Sequence, residues 1–240
     1  MKWAYHSHLA TNNQQRATDG MMDVELGYLD EDLLIAWKPH GMLTSGNAPA
    51  TFRQKVQSYV INKDLGSGKV EPCHRLDFET SGWVIFGLNE HSIRVISSAF
   101  ENRLIGKSYF ALVHGHLERR LDIRFQLNGK QAKTIVRRIQ NGKIAGAGNV
   151  SFVLITIESG RTHQIRKHLS SIGHSIVGDL KYPGLNKVYQ GKGLFLCAHH
   201  LSIPHPNHKN PVEVCRLPSK KFLKIPFIHQ IGLDDFLGLS

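Results

Sequence analysis

The chain has 240 residues, 41% of them hydrophobic and only 9 of them proline, which is enough to bury a substantial core and too apolar for a disordered polymer. Thirty Lys and Arg against 19 Asp and Glu give a net charge of +11, a field that concentrates polyanions and makes nucleic acid the first partner to consider. No stretch of about eighteen consecutive apolar residues occurs, and the first twenty lack the apolar run of a secretory signal, so a cytoplasmic protein with no membrane partner is expected.

The charge is uneven. Residues 1–50 hold three basic and six acidic side chains, whereas 101–150 hold ten and three. The cysteines (Cys73, Cys197 and Cys215) are odd in number and widely spaced, which argues against a disulfide framework or a zinc knuckle and for reduced, mostly buried thiols.

Residues 1–27 are polar and aperiodic and read as a loosely ordered arm preceding a single domain over 28–240. A turn at Tyr28–Asp32 leads into a short buried strand ending at Trp37, stopped by Lys38-Pro39-His40-Gly41. "WVIFGL" (83–88) is a second strand. Ile93, Ile96, Phe100 and Leu104 recur at helical spacing, predicting a helix that opens near Asn89. "SYFALVHG" (108–115) and "SFVLITIES" (151–159) are central strands; between them the basic 118–149 region reads as hairpins, with tight turns at Asn128-Gly129 and Asn141-Gly142 and another turn at "AGAG" (145–148). In "RTHQIRKHLSSIG", Ile165, Leu169 and Ile172 share a helical face, with Thr162 as candidate N-cap and Gly173 at the C-terminal end. The tail offers short strands broken by prolines. Strands outnumber helices, which predicts an α+β fold with a mainly antiparallel sheet.

Serine or cysteine nucleophile motifs are absent around Ser81 and Cys73, and no phosphate-binding glycine loop occurs. Four histidines (His199, His200, His205 and His208) cluster in "AHHLSIPHPNHK", yet HExxH is missing and prolines break the segment, so no metal is expected. Two segments remain. In "HRLDFETSG", Asp77 is either a reactive carboxylate or the acceptor of an Asx-type turn. In "SGRTHQIRKH", Arg161 and Arg166 sit at a helix N-terminus, where the dipole disfavours cations unless an anion faces them.

Both segments resemble signatures of the RluA-like RNA pseudouridine synthases: "HRLDFETSG" and "GRTHQIRKHLSSIGHSIVGDLKYPG". "DEDLLIAWKPHGML" is similar to that family's Lys-Pro-x-Gly element and "LCAHHLSIPHP" to its C-terminal element, all in family order. Phe78, where a polar or basic residue is usual, and Ser175, in place of a proline, depart from the pattern. The resemblance implies a mixed, largely antiparallel sheet around a cleft, and a cofactor-free isomerase acting on RNA, tRNA or rRNA; residues 1–27 are too short and too polar for the S4 domain that many relatives carry, and a monomer is the default expectation. It implies Asp77 as nucleophile on an extruded uridine, Arg166 as its partner, and Tyr109 stacked on the base with a role in proton transfer. Arg75 would fill the vacated RNA stack. His74, Lys38, Lys107, Arg161 and Gln164 are expected at the RNA, and Leu76, Thr80 and Gly82 shape the loop. A catalytically silent RNA-binding protein on the same fold, and a metal-dependent nuclease using the histidines, are the alternatives.

Overall fold

The computed structural model describes residues 24–65, 69–185, 189 and 193–231. Among the described residues ten strands form one sheet: β1 (Leu26–Leu29), β2 (Leu33–Lys38), β3 (Glu71–Pro72), β4 (Ser81–Gly87), β5 (Gly106–His114), β6 (Arg120–Leu127), β7 (Lys130–Ile144), β8 (Gly148–Ile157), β9 (Leu196–Ile203) and β10 (Val212–Cys215). Five helices accompany them: α1 (Phe52–Asn62), α2 (Glu90–Glu101), α3 (Gln164–Ser171), α4 (Lys220–Leu223) and α5 (Pro226–His229). The fold is the expected mixed α+β one.

The strand order is β1-β2-β4-β9-β5-β8-β7-β6, with β3 on β4 and β10 on β9. Every pairing is antiparallel except β4 with β9, which run parallel through Ser81↔Cys197 and Gly82↔Ala198. That short parallel seam joins the two halves of the sheet and lies directly behind the turn that carries Asp77. Gly82 makes it possible. Its φ is +145°, and a Cβ there would meet Ala198 atoms at 2.4 to 2.8 Å, so only glycine permits this approach of the strands.

Strands β2 and β4 are buried along their whole length, which is why both read as unbroken apolar runs rather than alternating ones. Each fully buried Leu, Ile or Phe here contributes about 1.5–3 kcal/mol through removal from water. At the far edge β6 alternates, with Ile123 and Leu127 inside and Arg120, Asp122 and Arg124 outside. Of the expected arm, residues 1–23 fall outside the described residues, whereas Leu26 and Gly27 already belong to β1.

The elements depart from the sequence reading in several places. Helix α1 was not anticipated because its apolar spacing is weak. Its signal was a capping box, in which the Thr51 side chain accepts from the Gln54 backbone and Gln54 answers to the Thr51 N–H. Asn141-Gly142 is not a turn; it lies within β7 opposite Ser151 and Val150. The Phe227 ring packs so closely on Gly142 that a Cβ would meet it at 2.4 Å, so the glycine serves packing. Asn128-Gly129 does turn, both residues having positive φ (52° and 73°) between β6 and β7. Leu104 lies beyond the end of α2 and is 64% exposed. Ile172 is the residue that ends α3, and it is 37% exposed. All three cysteines are free, Cys197 fully buried and the other two partly. No helix among the described residues is long and apolar enough to cross a membrane.

Candidate active site

A cavity of about 120 Å³ opens where three stretches meet: the turn Arg75–Thr80, Tyr109 of β5, and the segment Gly160–Arg166 that leads into α3. Backbone bonds hold the turn. The Cys73 N–H donates to the Ile85 carbonyl at 2.9 Å, the Ile85 N–H to His74 Nε2 at 3.2 Å, and the Thr80 N–H back to the Asp77 carbonyl at 3.0 Å. The Thr44 hydroxyl both accepts from the Leu76 N–H (3.1 Å) and donates to the Leu76 carbonyl (3.0 Å). Two bonds on one residue leave the backbone before Asp77 little freedom.

Asp77 stands partly exposed, its side chain 24% accessible, between two cationic or potentially cationic groups. Arg166 Nη1 lies 3.8 Å from Oδ2 and His163 Nε2 lies 3.6 Å from Oδ1. Both distances exceed a hydrogen bond. Arg166 itself is 1% exposed, and its fork is spent elsewhere. Nε donates to Asp179 Oδ2 at 2.8 Å and Nη2 to Asp179 Oδ1 at 2.7 Å, while Nη1 meets Glu79 Oε2 at 2.8 Å. Asp179 also accepts from the backbone N–H groups of Lys181 and Tyr182, both at 2.9 Å. Despite a burial that works the other way, these donors hold its carboxyl below the usual carboxylate range. The guanidinium further sits 5.3 Å from the Tyr182 ring.

Tyr109 lines the cavity and is 8% exposed. Burial, and then the charge of Asp77, push its phenol above its ordinary value, so the hydroxyl is protonated at neutral pH. Leu76 and Thr80 form the inner wall, and the Thr80 hydroxyl is buried with no hydrogen-bond partner among the described residues. Arg75 lines the cavity and is exposed, and Phe78, which does not line it, is 50% exposed. Arg161 lines the cavity, and its Nε likewise lacks a partner among the described residues.

Of the residues expected at the RNA, three are turned inward and Lys107 is half-buried. Lys38 is 0% exposed; its ammonium donates to the carbonyls of Pro39 (2.9 Å), Met42 (2.7 Å) and Phe78 (3.4 Å). Burial lowers its pKa to about 8, against the opposing pull of Asp77. It is a brace behind the turn and presents nothing to a phosphate. Gln164, 3% exposed, accepts from Ser159 Oγ (2.8 Å) and the Arg161 N–H, and donates to the Lys133 carbonyl and Thr134 Oγ1, tying α3 to β7. His74 turns inward against the Phe100 ring, 5.1 Å away, and burial first and Lys107 second drop its pKa to about 3. Lys107 is half-buried with its ammonium 5.1 Å from the Phe100 ring centre.

Three residues near Asp77 escaped the sequence reading: Glu79, His163 and Asp179. Asp179 lies in the quoted run "GHSIVGDLKYPG", so its presence was visible but its bond to Arg166 was not. His163 rather than Thr162 caps α3, with left-handed φ and ψ of 55° and 29° and no side-chain capping bond. The histidine-rich tail divides. His199 is buried and stacked on Phe110 at 4.0 Å, and burial drops its pKa to about 3. His205 Nε2 meets Asp30 Oδ2 at 2.6 Å, and its Nδ1 accepts from the N–H groups of Asn207 and His208. Asp30, His205 and His208 lie near enough to share an ion, but both ring nitrogens of His205 are already engaged. Their role is to fasten the first and last of the quoted motifs together, a link Asn207 reinforces by donating to Asp32 at 2.6 Å.

The family model described as RNA pseudouridylate synthase matches residues 32–171. The dual-specificity RNA pseudouridine synthase RluA of Haemophilus influenzae is 32% identical over 206 residues, covering 76% of this chain and 88% of the relative. The tRNA pseudouridine synthase C of Haemophilus ducreyi is 28% identical, covering 82% and 91%. Among solved structures, human RNA pseudouridylate synthase domain containing 1 superposes with a TM-score of 0.72 at 25% identity, over 93% of this chain and 96% of that one.

Proposed function

Because the chain belongs to the RNA pseudouridylate synthase family, we propose that it isomerises specific uridines of tRNA or ribosomal RNA to pseudouridine, with Asp77 as the nucleophile. The observation that carries this reading is the position of Asp77: a partly exposed carboxylate at a cavity, facing Arg166 and without a direct hydrogen bond from it. A carboxylate tied into a tight fork would be a poor nucleophile, and that fork is taken by Asp179.

A uridine stacked in RNA cannot reach this carboxylate, so the nucleotide must be extruded into the cavity. Tyr109 offers its ring as a wall against the base. Exposed Arg75 is suited to the gap left in the RNA, and Phe78 beside it offers an apolar face for stacking on a neighbouring base. Attack by Asp77, at C6 of the base or at C1′ of the ribose, leads to rupture of the C1′–N1 bond; the base turns, C5 joins C1′, the bond to Asp77 breaks and regenerates the carboxylate, and the proton lost from C5 is balanced by one gained at N1. The net charge of +11 supplies non-specific attraction for the phosphate backbone.

Asp77→Asn tests the reading. On a pool of unmodified tRNA and ribosomal RNA transcripts, wild-type protein forms pseudouridine and the variant forms none, while RNA affinity stays within about twofold because the amide keeps shape and removes one negative charge. Pseudouridine formation by the variant would refute it.

A further inference from the structure

His163 is the one neighbour of Asp77 whose own surroundings choose its chemistry. We propose that His163 and Tyr182 form a hydrogen-bonded pair that positions the Asp77 carboxylate, with the Tyr182 hydroxyl selecting the ring tautomer. This rests on the reading of Asp77 as the reacting group.

The argument begins with hydrogen-bond capacity. His163 Nδ1 is 2.9 Å from the Tyr182 hydroxyl, and His163 Nε2 is 3.6 Å from Asp77 Oδ1. A neutral imidazole carries one N–H and one lone pair. An ionised carboxylate only accepts, so a lone pair on Nε2 would repel it. Placing the proton on Nε2 leaves Nδ1 to accept from the Tyr182 O–H, so that bond is made while an N–H, rather than a lone pair, faces Asp77. The Tyr182 backbone N–H in turn donates to Asp179 Oδ1 at 2.9 Å, so the tyrosine is fastened to the same carboxylate that orders Arg166. The two oxygens of Asp77 are thereby treated differently: His163 faces Oδ1 and Arg166 faces Oδ2.

The backbone agrees. A side chain at the N-cap of a helix normally accepts from the first turn, yet His163 makes no such bond and adopts a left-handed conformation instead. That conformation aims the ring at Asp77. The groups facing the ring are Asp77 from the turn, Tyr182, Arg166 and Lys167 of α3, and Lys181. Burial lowers the ring's pKa, Asp77 pulls it back up, and the cations Arg166, Lys181 and Lys167 add to the lowering, so the ring stays below the usual imidazole range and the neutral form prevails near pH 7.

Three variants test the pair, using single-turnover pseudouridine formation and RNA affinity on the same transcript pool, with thermal melts as the control for folding. In His163→Asn the amide tolerates left-handed backbone and reaches Tyr182 but not Asp77. His163→Gln places an N–H near the Nε2 position. The expected result is a turnover loss of about tenfold or more in His163→Asn at nearly unchanged affinity, with most of the rate restored in His163→Gln. Tyr182→Phe frees the tautomer and slows turnover at neutral pH. Because an imidazolium always presents Nε2–H, its deficit relative to wild type narrows as the pH falls below the ordinary imidazole value of about 6.5 and the ring begins to take up its proton. A pH-independent Tyr182→Phe ratio, or His163→Gln no faster than His163→Asn, overturns the inference. Activity in Asp77→Asn would instead refute the function on which it rests.

Discussion

Arg166 gives its fork to Asp179 and only its remaining nitrogen to the side of Asp77 and Glu79. Nε and Nη2 stand 2.8 and 2.7 Å from the two oxygens of Asp179, while Asp77 is 3.8 Å away. Fully buried and bidentate, the Arg166–Asp179 pair has a geometry that offsets its own desolvation. It anchors a cation beside Asp77 without tying Asp77 down.

Asp179→Asn is therefore expected to be costly although Asp179 does not line the cavity. Removing one partner of a buried pair costs about 3–5 kcal/mol, read in urea or thermal unfolding. Turnover should fall as well, because Arg166 is freed to close on Asp77.

Thr44→Val should loosen the turn from its other end. The substitution leaves the Leu76 N–H and carbonyl unpaired in a buried place, at a cost of about 1–3 kcal/mol. Amide exchange at Leu76 should accelerate, and turnover should fall more than RNA affinity.

Gly82→Ala tests the seam between the half-sheets. Its Cβ would sit 2.4 Å from the Ala198 Cβ and 2.5 Å from the Ala198 carbonyl oxygen, at a φ of +145°. Backbone must move, so destabilisation above about 3 kcal/mol is expected, or failure to fold, seen in thermal melts and soluble yield.

Lys38 makes stability depend on alkaline pH. Its folded pKa of about 8 lies below the ordinary value of 10.5, so between these values the unfolded chain binds more protons and stability rises with pH. The contribution at pH 7 is unfavourable by about 3 kcal/mol relative to that above pH 10.5. Lys38→Met removes it; the difference in unfolding free energy between variant and wild type should change between pH 8 and 10.5. A constant difference would show that Lys38 titrates normally.

Much of the fold was written locally. The unbroken apolar runs of β2 and β4, the Asn89 cap of α2 and the Asn128-Gly129 turn depend on a few neighbouring residues, and local chemistry specified them. Helix α1 went unread because a capping box is a two-residue signal that weak apolar periodicity did not support. Asn141-Gly142 was misread because a glycine required by Phe227, eighty-five residues later, is indistinguishable in sequence from one required by a turn.

The same division runs through the site. By itself the sequence determined which residue types stand at 75–82, 109 and 161–166, and with them the family to which the chain belongs. Only the tertiary structure decided how those charges are shared. It turned Lys38, His74 and Gln164 inward, gave the Arg166 fork to Asp179, and brought His163 between Tyr182 and Asp77. The physical reason is that a charge's partner is set by distances of a few ångströms in space. Residues 77, 163, 166, 179 and 182 become neighbours only when the parallel seam of β4 and β9 closes behind the turn and α3 packs against β7.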